Sequence, residues 1–185
     1  MQRWGGYWRF VRVGVAVRVW FARMRCRACV TSHALVPAFC LLGRLDGIEV
    51  IGPALAAGVS GDSDATVARA IDVPESSVRG WRRRHRDRAA MLVAGVTAVV
   101  VSLGGVAPRL SPDAQRASVE AVGALWCAAR GVLGARAGPA WRNWAVVCGG
   151  AALSPNTIPP WTGLGGRGLL APVPGTLPGS EEMGP

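Results

Sequence analysis

Lysine is absent: all 21 basic residues among the 185 are arginine. Phenylalanine and tyrosine are scarce, at three and one, against eight tryptophans. Acid is scarce as well, and the chain carries a formal charge of +10. The missing lysine, together with abundant Ala, Val and Gly, fits a GC-rich coding bias and carries no mechanism of its own. The charge does have physical consequences, because such a chain seeks phosphates or an anionic membrane surface. At 19.3 kDa the length excludes a large multidomain enzyme and suits one compact domain, or a small domain with an attached module. Half of the residues are apolar, which excludes a disordered polycation.

The motifs of several enzyme classes are also missing. There is no phosphate-cradling P-loop, no G-x-S-x-G and no H-E-x-x-H. The glycine-rich GLGGRG at 163–168 has no strand before it. Asp62 and Asp64 lie close together, but at a helix start, where capping accounts for them. Two-metal phosphoryl transfer needs carboxylates converging from several elements, and no third partner is in view. The chain therefore reads as non-enzymatic.

Arginines at 3, 9, 12, 18, 23, 25 and 27 interrupt every apolar run of a secretory signal. Five cysteines, odd in number and irregular in spacing, make no disulfide framework, so a reducing cytoplasm is expected. Residues 89–107 are nineteen uncharged positions behind RRRHRDR, a length that just reaches the spanning threshold. Thr97, Ser102 and three glycines weaken that reading, and Gly104-Gly105 stops a helix early. A buried core helix is expected there and membrane contact is not. A membrane-associated protein anchored by 89–107 is the alternative.

What is present suggests a mainly α protein in four parts. Residues 7–42 form a β-hairpin, half of a zinc ribbon: Val11, Val13, Val15, Val17, Val19 and Phe21 share one parity, and Gly14 marks the bend. Residues 45–90 hold a helix-turn-helix, opened by a helix over 45–60. Asp46 and Glu49 there have capping-box spacing, and Pro53 kinks or starts the helix. Residues 91–150 form a helical region for packing or dimerisation. Ser111-Pro112-Asp113 starts one helix, with Ser111 as cap; Val119, Val122, Trp126, Ala129 and Leu133 form its apolar stripe, and Trp141 and Trp144 belong to a further turn on the same core. Residues 154–185 are a Pro/Gly-rich tail expected to be disordered. No internal repeat is visible.

The stretch SDATVARAIDVPESSVRGWRRRHRDRAA carries the functional reading. Ser63 caps a first short helix, Asp72 takes the left-handed corner, and Pro74 opens a second helix. At 100° per residue, Val78, Trp81, His85, Ala89 and Leu92 gather in one sector. Glu75, Arg79, Arg82, Arg83 and Arg86 gather roughly opposite. A short helix, a tight turn and an amphipathic helix about 22 Å long with an arginine face is the helix-turn-helix pattern, sized for a major groove. Glu75, Ser76 and Arg79 then approach base edges, with Arg79 suited to guanine and Glu75 to a cytosine amine. Arg82, Arg83 and Arg86 suit phosphates, while Arg84 and Arg88 point elsewhere into solvent. His85 reads as a core residue. Double-stranded DNA is the expected partner, with a homodimer compatible.

Zinc is the one cofactor the sequence offers. Cys26-x-x-Cys29 is half of a ribbon knuckle, with His33 and Cys40 as further ligands in C-x2-C-x3-H-x6-C. The bland reading is reduced, partly buried thiols beside the hairpin, with Cys127 and Cys148 as inert core residues.

RCRACVTSHALVPAFCLLGRLDGIEVIGPAL followed by DATVARAIDVPESSVRGWRRRHRDRA resembles a family of uncharacterised proteins from high-GC bacteria. Its members have a ribbon-like N-terminus, an SHALxPAF stretch and a transposase-type, homeodomain-like helix-turn-helix. The resemblance covers roughly residues 8–160, and the first ribbon cysteine pair is absent from this chain. It implies a DNA-binding protein tied to a mobile element or to transcription control, or a non-catalytic transposase remnant, with no assigned activity.

Overall fold

The computed structural model describes residues 2–28 and 30–154. It begins with an antiparallel hairpin, β1 (Gln2–Arg12) and β2 (Ala16–Arg25), to which the short β3 (Ser32–Ala34) adds on the β2 edge. Gly14 turns the hairpin at φ +93°, where a side chain would be strained. Among the described residues five α-helices follow: α1 (Ile48–Val59), α2 (Asp64–Ala70), α3 (Glu75–Ser102), α4 (Ala114–Leu133) and α5 (Ala140–Val147). Two long strands and a third beside them make the architecture mixed α and β, where the sequence had suggested mainly α. The Pro/Gly-rich tail and GLGGRG lie outside the described residues, apart from Ser154.

Alternation decides how the sheet sits. Val11 and Phe21 are buried, with Val13, Val17, Val19 and Val36 against them and Cys40 closing the cluster. Phe39 packs on both this cluster and the larger helical core, joining the two. The hairpin is also tied to the body through its backbone: Arg12 N–H donates to the Leu45 carbonyl at 2.8 Å, and Gly47 N–H donates to the Arg12 carbonyl at 2.7 Å.

Both acids of the expected capping box are used otherwise. Asp46 is 4% exposed and accepts from Arg12 Nε at 2.7 Å and Nη2 at 3.2 Å. Glu49 accepts from Arg142 Nε at 2.9 Å, linking α1 to α5. The N-cap of α1 is Gly47, with no side-chain cap. A fork-shaped guanidinium across the fold outcompetes a local amide for a carboxylate. Pro53 lies inside α1. Gly52, one residue earlier, lets α5 approach, since a Cβ there would collide with the Trp141 indole.

α3 is one unbroken helix of 28 residues, so it runs about 42 Å at 1.5 Å per residue. It continues through the apolar segment, and the expected boundary at 90 falls in its middle. Leu103 caps it and Gly104 turns away at φ +81°, the stop expected from the glycine pair. Leu92, Val96 and Val100 are buried among α4 and α5, in the same core as α1 and α2. Among the described residues, no helix is long and apolar enough to cross a membrane.

α4 is rotated from its expected register. Its N-cap is Asp113, which accepts from Arg116 N–H at 2.8 Å, whereas Ser111 lies two residues before it. Val122 and Ala129 of the expected stripe are buried, joined by Ala117, Ala121 and Leu125, while Leu133 is exposed and Trp126 sits at the rim, 37% exposed, beneath the Arg130 guanidinium at 5.3 Å. Small residues allow two helices to approach closely, and the large indole has room only at the edge. The rotation also leaves Cys127 exposed, whereas Cys148 is buried and its thiol pushed up by desolvation. Trp144 is fully buried, edge-on to Trp141 with centroids 5.6 Å apart.

Candidate nucleic-acid interface

The segment from Ser63 to Arg88 is built as its local chemistry requires. Ser63 Oγ accepts from Thr66 N–H at 3.1 Å and starts α2. Asp72 occupies the left-handed region at φ +52°, a conformation Asp tolerates better than most residues. Val73 drops against the core and Pro74 caps α3. Val78, Trp81, His85 and Ala89 then anchor one side of α3, all but inaccessible to solvent.

The opposite side is open. Glu75, Ser76, Arg79, Arg83 and Arg86 are exposed. Arg83 and Arg86 have no ion-pair partner among the described residues. Arg79 is two-thirds exposed; it donates to Glu75 one turn back and stands 3.7 Å from Asp64. The two carboxylates steady its guanidinium over the first turn of α3.

Arg82 is placed differently from the sequence reading. Its side chain is only 18% exposed, and Nη1 donates to Asp64 Oδ1 at 2.6 Å and to the Asp62 carbonyl at 2.9 Å. Gly58 leaves space for it on α1, because a Cβ there would strike the guanidinium. Arg82 lies at the edge of the arginine sector nearest α2, and a carboxylate within reach captured it. Replacing Arg82 with Ala removes the nearer ion-pair partner of Asp64 and the donor to the Asp62 carbonyl, and is expected to cost about 2 kcal/mol. Urea unfolding of Arg82→Ala beside Arg83→Ala checks this, with Arg83→Ala unchanged in stability.

Arg84 and Arg88 are half-buried and bonded to backbone carbonyls instead of standing free in solvent. Arg84 Nη1 donates to the Gly80 carbonyl at 2.8 Å, and Arg88 donates to the carbonyls of Ala151 and Ser154. Arg84, Arg44 and Arg12 line a cavity of about 270 Å³ beside the first turn of α3, together with Ser76 and Ser77. Asp46 is the one acid in its lining and is held by Arg12. Arg44 Nη2 donates to the Leu153 carbonyl at 3.1 Å, but its Nε is buried without a partner. Desolvation, then the charges of Arg84 and Arg9, lower the Arg44 pKa. This is an electropositive notch that an anionic oxygen would relieve. The sequence did not reveal it, because Arg44 and Arg84 are forty residues apart and come to one notch only in the folded chain.

The expected zinc ligands are spread over different surroundings. Cys26 is half-buried at the end of β2, and His33 is exposed on β3. Cys40 is buried beside Val11 and Phe21, and desolvation pushes its thiol up to about 11. Cys29 lies outside the described residues. Among the described residues, no group of three His, Cys, Asp or Glu side chains is placed to hold a metal.

Comparison of the chain with protein-family models, with curated proteins and with solved structures finds no match.

Proposed function

We propose that this protein binds double-stranded DNA without catalysing a reaction, using α2 and the first half of α3 as a helix-turn-helix. The observation that carries this reading is the division of α3. Arg79, Arg83 and Arg86 are exposed on one flank, while Trp81 on the other is 3% exposed in the core. A basic face on a helix fixed this firmly enters a major groove with little loss of freedom. Glu75, Ser76 and Arg79 lead at the N-terminal end and address base edges. Arg83 and Arg86 contact phosphates, and the Arg44–Arg84 notch accepts a further one beside the first turn. Arg82 is withdrawn from the contact set, being committed to Asp64. A second copy of the chain would read a second half-site, and the family resemblance suggests a role with a mobile element or in transcription control.

Salt dependence tests the proposal. Three to four phosphate contacts give a slope of log K against log salt of about −2.7 to −3.6, since each contributes roughly −0.9. Arg83→Ala should flatten the slope by about one unit on every duplex. Arg79→Ala should relax preference at one base position by about 1–3 kcal/mol. Fluorescence anisotropy with duplexes selected from a random pool measures both. Absence of duplex binding at low salt, or equal losses for both variants on selected and random duplex, rejects the assignment.

A further inference from the structure

The outer face of the hairpin is unexplained by any packing. Register pairs Trp8 with Trp20 and Phe10 with Arg18 across the two strands. All four project away from the side that carries the buried Val11 and Phe21 and the half-buried Val17 and Val19. Trp8 is 54% exposed, Phe10 63% and Trp20 39%. Arg18 lies 4.8 Å over the Trp8 ring, and the two indoles meet edge-on with centroids 5.3 Å apart. Trp20 has a prepared seat, because a Cβ on Gly6 would collide with its indole.

Charge says what would cover this face. Residues 1–45 contain eight arginines and no aspartate or glutamate. The first acid, Asp46, is consumed by Arg12. We infer that the hairpin's outer face binds single-stranded nucleic acid, with Trp8, Phe10 and Trp20 stacking unpaired bases and Arg18 beside them engaging the sugar–phosphate strand. Trp8 and Phe10, two residues apart on one strand, are about 7 Å apart along it. Bases stacked in a duplex are 3.4 Å apart, so each ring serves a separate, unstacked base. A lipid surface fits less well: β1 and β2 place no Leu, Ile or Val on this face, and the charged Arg18 guanidinium stands among its rings. This surface is separate from the arginine flank of α3 and does not depend on the reading of that flank.

The experiment uses the full chain and three probes: a labelled 15-nucleotide oligo-dT, a duplex of equal length, and vesicles of phosphatidylcholine and phosphatidylserine at 7:3. Trp8→Ala and Phe10→Ala alter exposed positions, and circular dichroism monitors their fold. Each is expected to weaken oligo-dT binding by roughly tenfold, with Trp8→Tyr retaining most of it. Duplex binding should persist in these variants, while the Arg83→Ala/Arg86→Ala variant weakens duplex binding and leaves oligo-dT binding intact. Absence of oligo-dT binding overturns the proposal, as does binding that Trp8→Ala and Phe10→Ala leave unchanged. Capture by vesicles through these same residues, with oligo-dT unbound, overturns it in favour of a membrane surface. Failure on duplex alone would sink the α3 reading and leave this one standing.

Discussion

Replacing Trp81 with Ala is expected to remove about 3–5 kcal/mol of stability, because it empties the largest buried position on the first half of α3. Trp81 belongs to the core shared by Val67 and Ala68 of α2, Ile51 and Leu55 of α1, and Leu92 further along its own helix. A loss of that size is a large fraction of what an ordinary domain possesses. Urea unfolding at neutral pH measures it, and Trp81→Phe should lose much less, since it keeps an aromatic body in the site. The pair also bears on function. Trp81→Phe should retain duplex affinity, whereas Trp81→Ala should lose it at temperatures where the variant unfolds. A small loss for Trp81→Ala would mean that α3 is not anchored through this indole, and the preorganised arginine flank would lose its physical basis.

Acidification should produce the second large effect. His85 is 2% exposed, with Nε2 3.1 Å from Ser118 Oγ on α4. Burial pushes its pKa down from 6.5 to about 4, against a smaller opposing pull from Asp113. The unfolded chain therefore takes up a proton between those values that the folded chain refuses. Stability from this group is complete above pH 6.5, falls by about 2 kcal/mol by pH 5 and by about 3 kcal/mol once the pH passes below 4. Because carboxylates also titrate near the lower end, the informative quantity is the difference between the natural chain and His85→Leu. Urea midpoints at pH 7, 5.5 and 4.5 should fall more steeply for the natural chain. Parallel slopes would show that His85 charges freely in the folded state.

The arginine flank and the buried His85 belong to one helix, so acid that loosens the packing of His85 should also disturb the flank proposed to contact DNA. α3 packs chiefly against α4 and also against α1, α2 and α5, and His85 on its first half meets Ser118 of α4. Loosening the His85–Ser118 contact near the middle would weaken the support of the exposed half.

Much of this was legible in local sequence. The alternating valines placed the hairpin and its bend, Ser63 and Asp72 placed the cap and corner before α3, and the spacing of Val78, Trp81 and His85 placed its buried side. Each of these rests on interactions within a few residues, so the order of side chains along the chain specifies them. The exceptions are informative for the same reason. Asp46, Glu49 and Asp64 were read as helix-end acids, yet each meets a guanidinium 34, 93 and 18 residues away. The stripe of α4 was right at Val122 and Ala129, but Trp126 and Leu133 lie outside the core, where Ala117, Ala121 and Leu125 take their place.

Sequence alone determined the alternation of the strands, the turn chemistry and which flank of α3 is greasy, because periodicity and backbone preference act over one or two turns. Only the tertiary structure decided which arginines are available to a partner. A guanidinium goes to whichever carboxylate or carbonyl the fold brings within reach, and that choice withdrew Arg82, enclosed Arg44 with Arg84, and left Arg83 and Arg86 to solvent.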